Sequence, residues 1–177
     1  HLARDHHRRS IVFVGGFTPD EVAHGDRETV AQRYEGYAAV VGPAAAQRIP
    51  TDLTPAGAYD AVRRYLADHS APDGLVVGTY AQAAATLRAV ADAGLRIPED
   101  VAVVGYDADA ATIYAPLILT TVQQPIDEIA RAALSRVLDA AGNPNSPSAP
   151  PSPFGVHLSL GETCGCTPER RTSAPVG

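Results

Sequence analysis

The sequence predicts an α/β fold, a parallel β-sheet with helices on both faces. Three observations carry that expectation. Short, unbroken apolar runs recur as IVFVG at 11–15, LVVG at 75–78 and VAVV at 101–104, and a strand without polar alternation suits a sheet covered on both sides. Between these runs lie longer stretches with apolar residues at helical spacing. Strand and helix therefore alternate, which is the order that builds parallel sheets through helical crossovers.

Composition narrows the possibilities. A chain of 177 residues with 45% apolar and 19% charged residues suffices for one globular domain. A net charge of −6 and a pI near 5.4 argue against a nucleic-acid-binding surface, because phosphate contacts need clustered positive charge. All 14 basic residues counted as Lys or Arg are Arg, and Met is absent; the missing Met leads us to expect a fragment or a processed product. No apolar run approaches the ~20 residues of a membrane helix, and residues 1–10 lack the apolar core of a signal peptide, so a cytoplasmic chain with no membrane partner is expected.

The opening segment HLARDHHRR is polar and basic and reads as the end of a helix. His1, His6 and His7 invite a metal hypothesis, but solvated histidines near a helix C-terminus account for them, since no carboxylate or cysteine stands nearby at ligand spacing. Ile11–Gly15 is a buried strand with a turn at Gly15 and Gly16, and Phe17–Glu28 is a loop. In the helix that follows, Val30, Tyr34, Tyr37, Ala38 and Val41 share one face, and Arg33 lies off that stripe towards the loops. On the residues alone Arg33 reads as an exposed, salt-bridging arginine.

Gln47–Pro50 is a brief strand. Thr54 reads as an N-cap and Pro55 as the first helical residue, with Ala58, Val62 and Leu66 buried. Leu75–Gly78 is a third strand, and Thr79-Tyr80-Ala81-Gln82 has the spacing of a capping box opening a helix over 82–93. Gly94 suits the left-handed residue that ends it, and Pro98 keeps it from restarting. The strand Val101–Val104 follows, with Gly105, Tyr106 and Asp107 past its end. A carboxylate thus stands at the carboxyl end of a core strand, where open α/β sheets hold their ligands. Leu119–Val122 forms a further strand, and Gln123 and Gln124 precede Pro125, which opens an amphipathic helix to Ala141 with Ile126, Ile129, Leu134, Val137 and Leu138 on one stripe. Val156–Leu160 alternates as an edge strand should. Cys164 and Cys166 are too close for an easy bridge, and a CxC pair supplies half a zinc site at most; a surface turn is the plainer reading.

The run IPEDVAVVGYD, followed after a loop by LTTVQQP and a helix, resembles the effector-binding domain of the lactose/galactose-repressor family of bacterial transcription regulators. The opening HLARDHHRR, with His6 at a usual Gly, and the closing GETCGC, with Gly161 at a usual Arg, are similar to segments of the same family. The resemblance implies a periplasmic-binding-protein-like fold, mainly its C-terminal lobe. The implied organisation is a partial effector-binding domain over 1–142 with a crossover helix over 125–142, a Pro/Ser-rich linker over 143–155, a returning strand and turn over 156–166 and a flexible tail over 167–177. Arg33 matches the family's arginine in an Arg-x-x-Gly-aromatic run, and Thr79 and Tyr80 replace the usual Asn or Ser and Asp.

Functionally, the resemblance implies an effector-sensing fragment of a regulator and not an enzyme. Arg33, Asp107 and Gln124 would bind a small polar effector, a sugar or related polyol, with Thr79 and Tyr80 lining the same mouth. No cofactor and no metal are expected. A homodimer is implied, and DNA would be met only through a helix-turn-helix domain absent from this chain. The alternative is a periplasmic-type sugar-binding receptor, or a sensor attached to another output domain. A purely structural alternative is that Arg33 and Asp107 merely bridge and cap. The stripe of the last helix should be exposed, folded back or buried in a dimer.

Overall fold

The computed structural model describes residues 1–16, 26–107, 117–142 and 153–168. Among them the strands are β1 (Ile11–Val14), β2 (Gln47–Ile49), β3 (Gly74–Val77), β4 (Ala102–Tyr106), β5 (Thr120–Gln123) and β6 (His157–Ser159), and the helices are α1 (Asp26–Val41), α2 (Pro55–Asp68), α3 (Tyr80–Asp92) and α4 (Ile126–Gly142). The strands form one sheet in the order β2-β1-β3-β4-β5-β6. Five of them are parallel, and β6 alone runs antiparallel, pairing Val122 with Leu158. The predicted sheet is thus mostly parallel with one reversed edge strand. Expected strand ends shift by one or two residues, because ladder pairing and not hydrophobicity ends a strand. The linker expected over 143–155, the tail over 167–177 and the loop after Gly16 fall almost wholly outside the described residues, although α1 begins at Asp26, inside the expected loop.

Strand alternation splits the core in two. Val12, Val14, Leu75, Val77 and Val103 face α2 and α3, where Val62, Ala83 and Val90 meet them. Ile11, Phe13, Ala102 and Val104 face the other way, against Val30 and Tyr37 of α1, Leu2 of the opening turn and Cys164 of the closing one. Tyr37 is the polar tie of this second layer: its hydroxyl donates to Ile11 O at 2.6 Å and accepts from Gln47 N at 3.1 Å. Burial raises its pKa, and the N–H it receives works against that rise.

Helix ends follow the residues. Thr54 caps α2 by accepting from Gly57 N at 3.0 Å, with Pro55 in the first turn. Gly94, at φ +76°, closes α3: Gly94 N donates to Ala91 O and Leu95 N to Val90 O, a Schellman pair that satisfies two orphan carbonyls. Thr79 is the N-cap of α3, but it makes no side-chain cap bond, so the expected capping box does not form. Residues 2–5 form a turn, with Asp5 N donating to His1 O at 2.9 Å, and the chain runs on irregularly to β1. α4 buries none of its side chains, and Ile126, Leu134, Val137 and Leu138 are 59–65% exposed. Its amphipathic stripe therefore faces solvent, the first of the three outcomes expected for it. No described helix is long and apolar enough to cross a membrane.

Candidate functional site

Three strand ends and one helix present the predicted residues. β4 delivers Asp107 just past Tyr106, with φ +57°, a left-handed backbone that Asp tolerates better than most residues. Its N–H donates to Val122 O at 2.8 Å, which extends the β4–β5 pairing and aims the carboxylate at the segment leaving β5. Gln124 stands there and donates Nε2 to Asp107 Oδ2. Arg33 reaches in from α1. Its Nη1 donates to Gly78 O at 2.7 Å, its guanidinium lies 3.6 Å over the Tyr106 ring, and its Nη2 comes within 3.8 Å of Asp107 Oδ2.

Arg33, Asp107 and Gln124 thus meet at the carboxyl edge of the sheet, although 91 positions separate the first from the last (124 − 33). The Arg33 side chain is 21% exposed and that of Asp107 30%. Arg33 spends one nitrogen on a backbone carbonyl and rests on an aromatic face. That fixes its fork before any ligand arrives. Among the described residues Asp107 Oδ1 and Gln124 Oε1 have no hydrogen-bond donor, so the trio presents both halves of hydrogen-bond chemistry.

Thr79 and Tyr80 occupy the start of α3, directly after the Gly78 carbonyl that Arg33 holds. Tyr80 is 37% exposed. Thr79 does something other than expected: its hydroxyl donates to Gln82 Oε1 at 2.9 Å instead of accepting a helix N–H. Gln82 is fully buried and donates Nε2 to Thr51 Oγ1. The side chain of Gln82 is turned into the protein by that bond, which leaves the Thr79 hydroxyl to complete its carbonyl.

Sequence reasoning missed three residues that hold this edge together. Tyr106 is the platform under Arg33, and Gln82 with Thr51 links α3 to the chain after β2. A signal was present for Gln82, since it shares a helical stripe with Thr86, Ala89 and Val90, all buried. A polar residue on such a stripe must find a partner inside. Beneath the site, the α1 face of the sheet carries an apolar groove of about 440 Å³ past Ile11, Val104, Val122 and Leu158, with Arg33 and Tyr106 at one end.

Residues 1–164 match the family described as periplasmic binding protein-like domain. The chain belongs to that family. Among curated relatives of this periplasmic binding protein-like chain, it is 26% identical over 156 residues to the HTH-type transcriptional repressor PurR of Glaesserella parasuis, covering 84% of this chain and 44% of that one. It is 29% identical over 124 residues to the ribose operon repressor of Escherichia coli K12, covering 67% and 38%. The chain spans less than half the length of both relatives. Among solved structures, a LacI family transcriptional regulator from Arthrobacter sp. FB24 in complex with lactose superposes with a TM-score of 0.77 at 24% identity, covering 92% of this chain and 60% of that one. One from Enterococcus faecium with bound ribose gives 0.75 at 23%, covering 92% and 58%. The fold and the resemblance to the lactose/galactose-repressor family, both read from the sequence, are borne out. The matched curated relatives are named as repressors and not as enzymes, in line with the sequence expectation.

Proposed function

We propose that the chain is the effector-sensing part of a bacterial transcription regulator of the lactose/galactose-repressor type. It binds a small polyhydroxylated ligand, a sugar or related polyol, at the carboxyl edge of its sheet. One observation carries this reading: Asp107 Oδ2 takes a hydrogen bond from Gln124 and is approached by an Arg33 already anchored on Gly78 O and Tyr106. A carboxylate accepts from paired hydroxyls, an amide both donates and accepts, and a guanidinium donates two parallel bonds. Tyr80 offers an exposed ring on which a pyranose or furanose face can rest. No bond is made or broken in the ligand.

Relatives and neighbours named for ribose, lactose and cellobiose support the choice of a sugar. In the whole protein, binding energy would be coupled to operator affinity through a second lobe and DNA-reading heads outside this sequence, in the cytoplasm. The alternative, a transport receptor or a sensor serving another output domain, rests on the same fold. The residues encoded upstream of His1 discriminate the two, a helix-turn-helix favouring the regulator.

Titration calorimetry with ribose, galactose, lactose and cellobiose tests the site. Saturable binding to one of them, lost in Asp107→Ala and weakened in Gln124→Ala with far-ultraviolet dichroism unchanged, is expected. Undiminished binding by Asp107→Ala would remove the carboxylate from the site.

The exposed stripe of α4 is the proposed dimer contact. Burying a Leu or Ile side chain contributes roughly 1.5 to 3 kcal/mol, so Ile126, Leu134, Val137 and Leu138, each already about 40% covered, would contribute roughly 4 to 7 kcal/mol per protomer and roughly 7 to 14 kcal/mol for the pair. That is comparable with the cost of association, about 4 to 15 kcal/mol, so a weak, concentration-dependent homodimer is expected.

A further inference from the structure

The opening and closing turns of the chain meet on the α1 face of the sheet, and their reactive side chains converge. His1 Nε2 lies 3.0 Å from His6 Nε2, 3.4 Å from Cys164 Sγ and 3.6 Å from Cys166 Sγ, and His6 Nε2 lies 3.3 Å from Cys166 Sγ. All four ligand atoms fall within 4.8 Å of one another. We propose that His1, His6, Cys164 and Cys166 form a Cys2His2 site for zinc, a structural clasp that ties the two turns together.

Hydrogen bonds can be drawn pairwise within this cluster, whereas one metal ion would engage all four ligand atoms at once. His1 Nδ1 faces Asp5 Oδ2 at 2.8 Å, which assigns a ring proton to that nitrogen. In the neutral ring Nε2 then offers one lone pair towards an imidazole nitrogen and two sulfurs. Tetrahedral zinc with Zn–N about 2.05 Å and Zn–S about 2.3 Å spaces its ligands about 3.3 Å apart for N to N and about 3.5 Å for N to S. Four of the six edges, at 3.0 Å and 3.3 to 3.6 Å, sit within a few tenths of an ångström of those lengths, and the remaining two lie within 4.8 Å.

The surroundings are those of a metal site too. Asp5 stands behind His1 as the carboxylate that orients a ligating imidazole. The Thr120 hydroxyl lies 2.9 Å from Cys164 Sγ, placed to donate to a thiolate. Gly165, at φ +97°, supplies the left-handed turn that points both sulfurs the same way. Four protein ligands leave no open position, so the site holds structure and performs no hydrolysis. On binding, each thiol releases its proton and zinc takes its place. Leu2 and Cys164 belong to one apolar cluster, so the clasp fastens a segment already packed.

The test uses the 177-residue chain, stripped with EDTA and kept reduced by a non-chelating phosphine. One equivalent of cobalt(II) should produce the visible d–d bands of a tetrahedral ion and a thiolate charge-transfer band, both abolished by one equivalent of zinc. Zinc at a thousandfold excess over Kd should raise Tm by roughly 8 to 16 °C, reversibly with EDTA. Cys166 and His6 are only partly buried, so Cys166→Ser and His6→Asn should fold while losing zinc affinity by at least about 100-fold, the upper end of what a partner behind the ligands costs. Absent bands with an unmoved Tm would overturn the proposal, and so would undiminished binding in both variants. A chain that takes up no cobalt when reduced yet pairs Cys164 with Cys166 in air would overturn it in favour of a thiol redox pair.

Discussion

Gly161→Ala should be among the most damaging single-methyl additions this chain can suffer. A Cβ at Gly161 would fall against Ile118 O, 2.7 Å from Leu119 C and 2.8 Å from Thr120 N, all backbone atoms with no side chain to swing aside. The turn or β5 must move, and a knot of buried bonds moves with it. Gly161 N donates to Thr120 Oγ1 at 2.9 Å, Thr120 N to Thr163 Oγ1 at 2.9 Å, Thr163 Oγ1 to Val103 O at 2.7 Å and Thr163 N to Ile118 O at 3.2 Å. Leaving a buried donor or acceptor unmatched costs about 1 to 3 kcal/mol, so loss of two of these bonds amounts to roughly 2 to 6 kcal/mol. For a chain of this size that is a fall in Tm of roughly 4 to 24 °C.

Urea unfolding followed by far-ultraviolet dichroism measures it, with the m-value reporting whether the unfolded state has changed. The control is Gly36→Ala in the middle of α1, where nothing stands within 4 Å of the added carbon. There the same methyl should stabilise by roughly 0.5 to 1 kcal/mol through helix propensity. If Gly161→Ala costs less than about 1 kcal/mol, the close approach to β5 relaxes freely and the reasoning from contact distances is refuted.

Other residues give four more expected outcomes. Thr86 Oγ1 is buried without a hydrogen-bond partner among the described residues, so Thr86→Val, nearly the same shape, should raise stability by about 1 kcal/mol in the same urea assay. Tyr37→Phe removes the hydroxyl between Ile11 O and Gln47 N and should cost about 1 to 3 kcal/mol. The Arg96 side chain, and then its backbone N–H, lowers the pKa of Asp100 from 3.8 to about 2; a folded-state pKa below the unfolded one contributes stability above about pH 4 that is lost as pH falls towards about 2. A carboxyl NMR titration should place the Asp100 midpoint there, and Arg96→Gln should return it towards its ordinary value. Sedimentation equilibrium should detect dimers of the parent chain that Leu134→Glu with Leu138→Glu abolishes; a parent chain monomeric at high concentration would count against α4 as the contact.

Much of the fold was legible along the chain because local signals and global packing agree here. Apolar runs became strands buried on both faces, Thr54-Pro55 opened α2, and Gly94 closed α3 with the left-handed residue expected of it. Asp107 and Gln124 also came together, since residues that follow parallel strands emerge on one edge whatever the details of the core, and Arg33 joins them from α1. Thr79 shows the limit: its capping-box spacing with Gln82 was sound, but the bond from Gln82 to Thr51, from another part of the chain, turned the pair into a side-chain relay. Tyr106 became the platform for Arg33 only once β4 was set beside α1.

The amino-acid order by itself determined the alternation of strands and helices, the parallel sheet and the placing of Asp107 and Gln124 at strand ends, because periodicity and turn chemistry act over a few residues. The tertiary structure alone decided that β6 reverses beside β5, that Gly161 must lack a side chain and that His1 and His6 meet Cys164 and Cys166. Two half-sites about 160 positions apart carry no mark of one another in sequence, since their meeting depends on how every intervening crossover stacks.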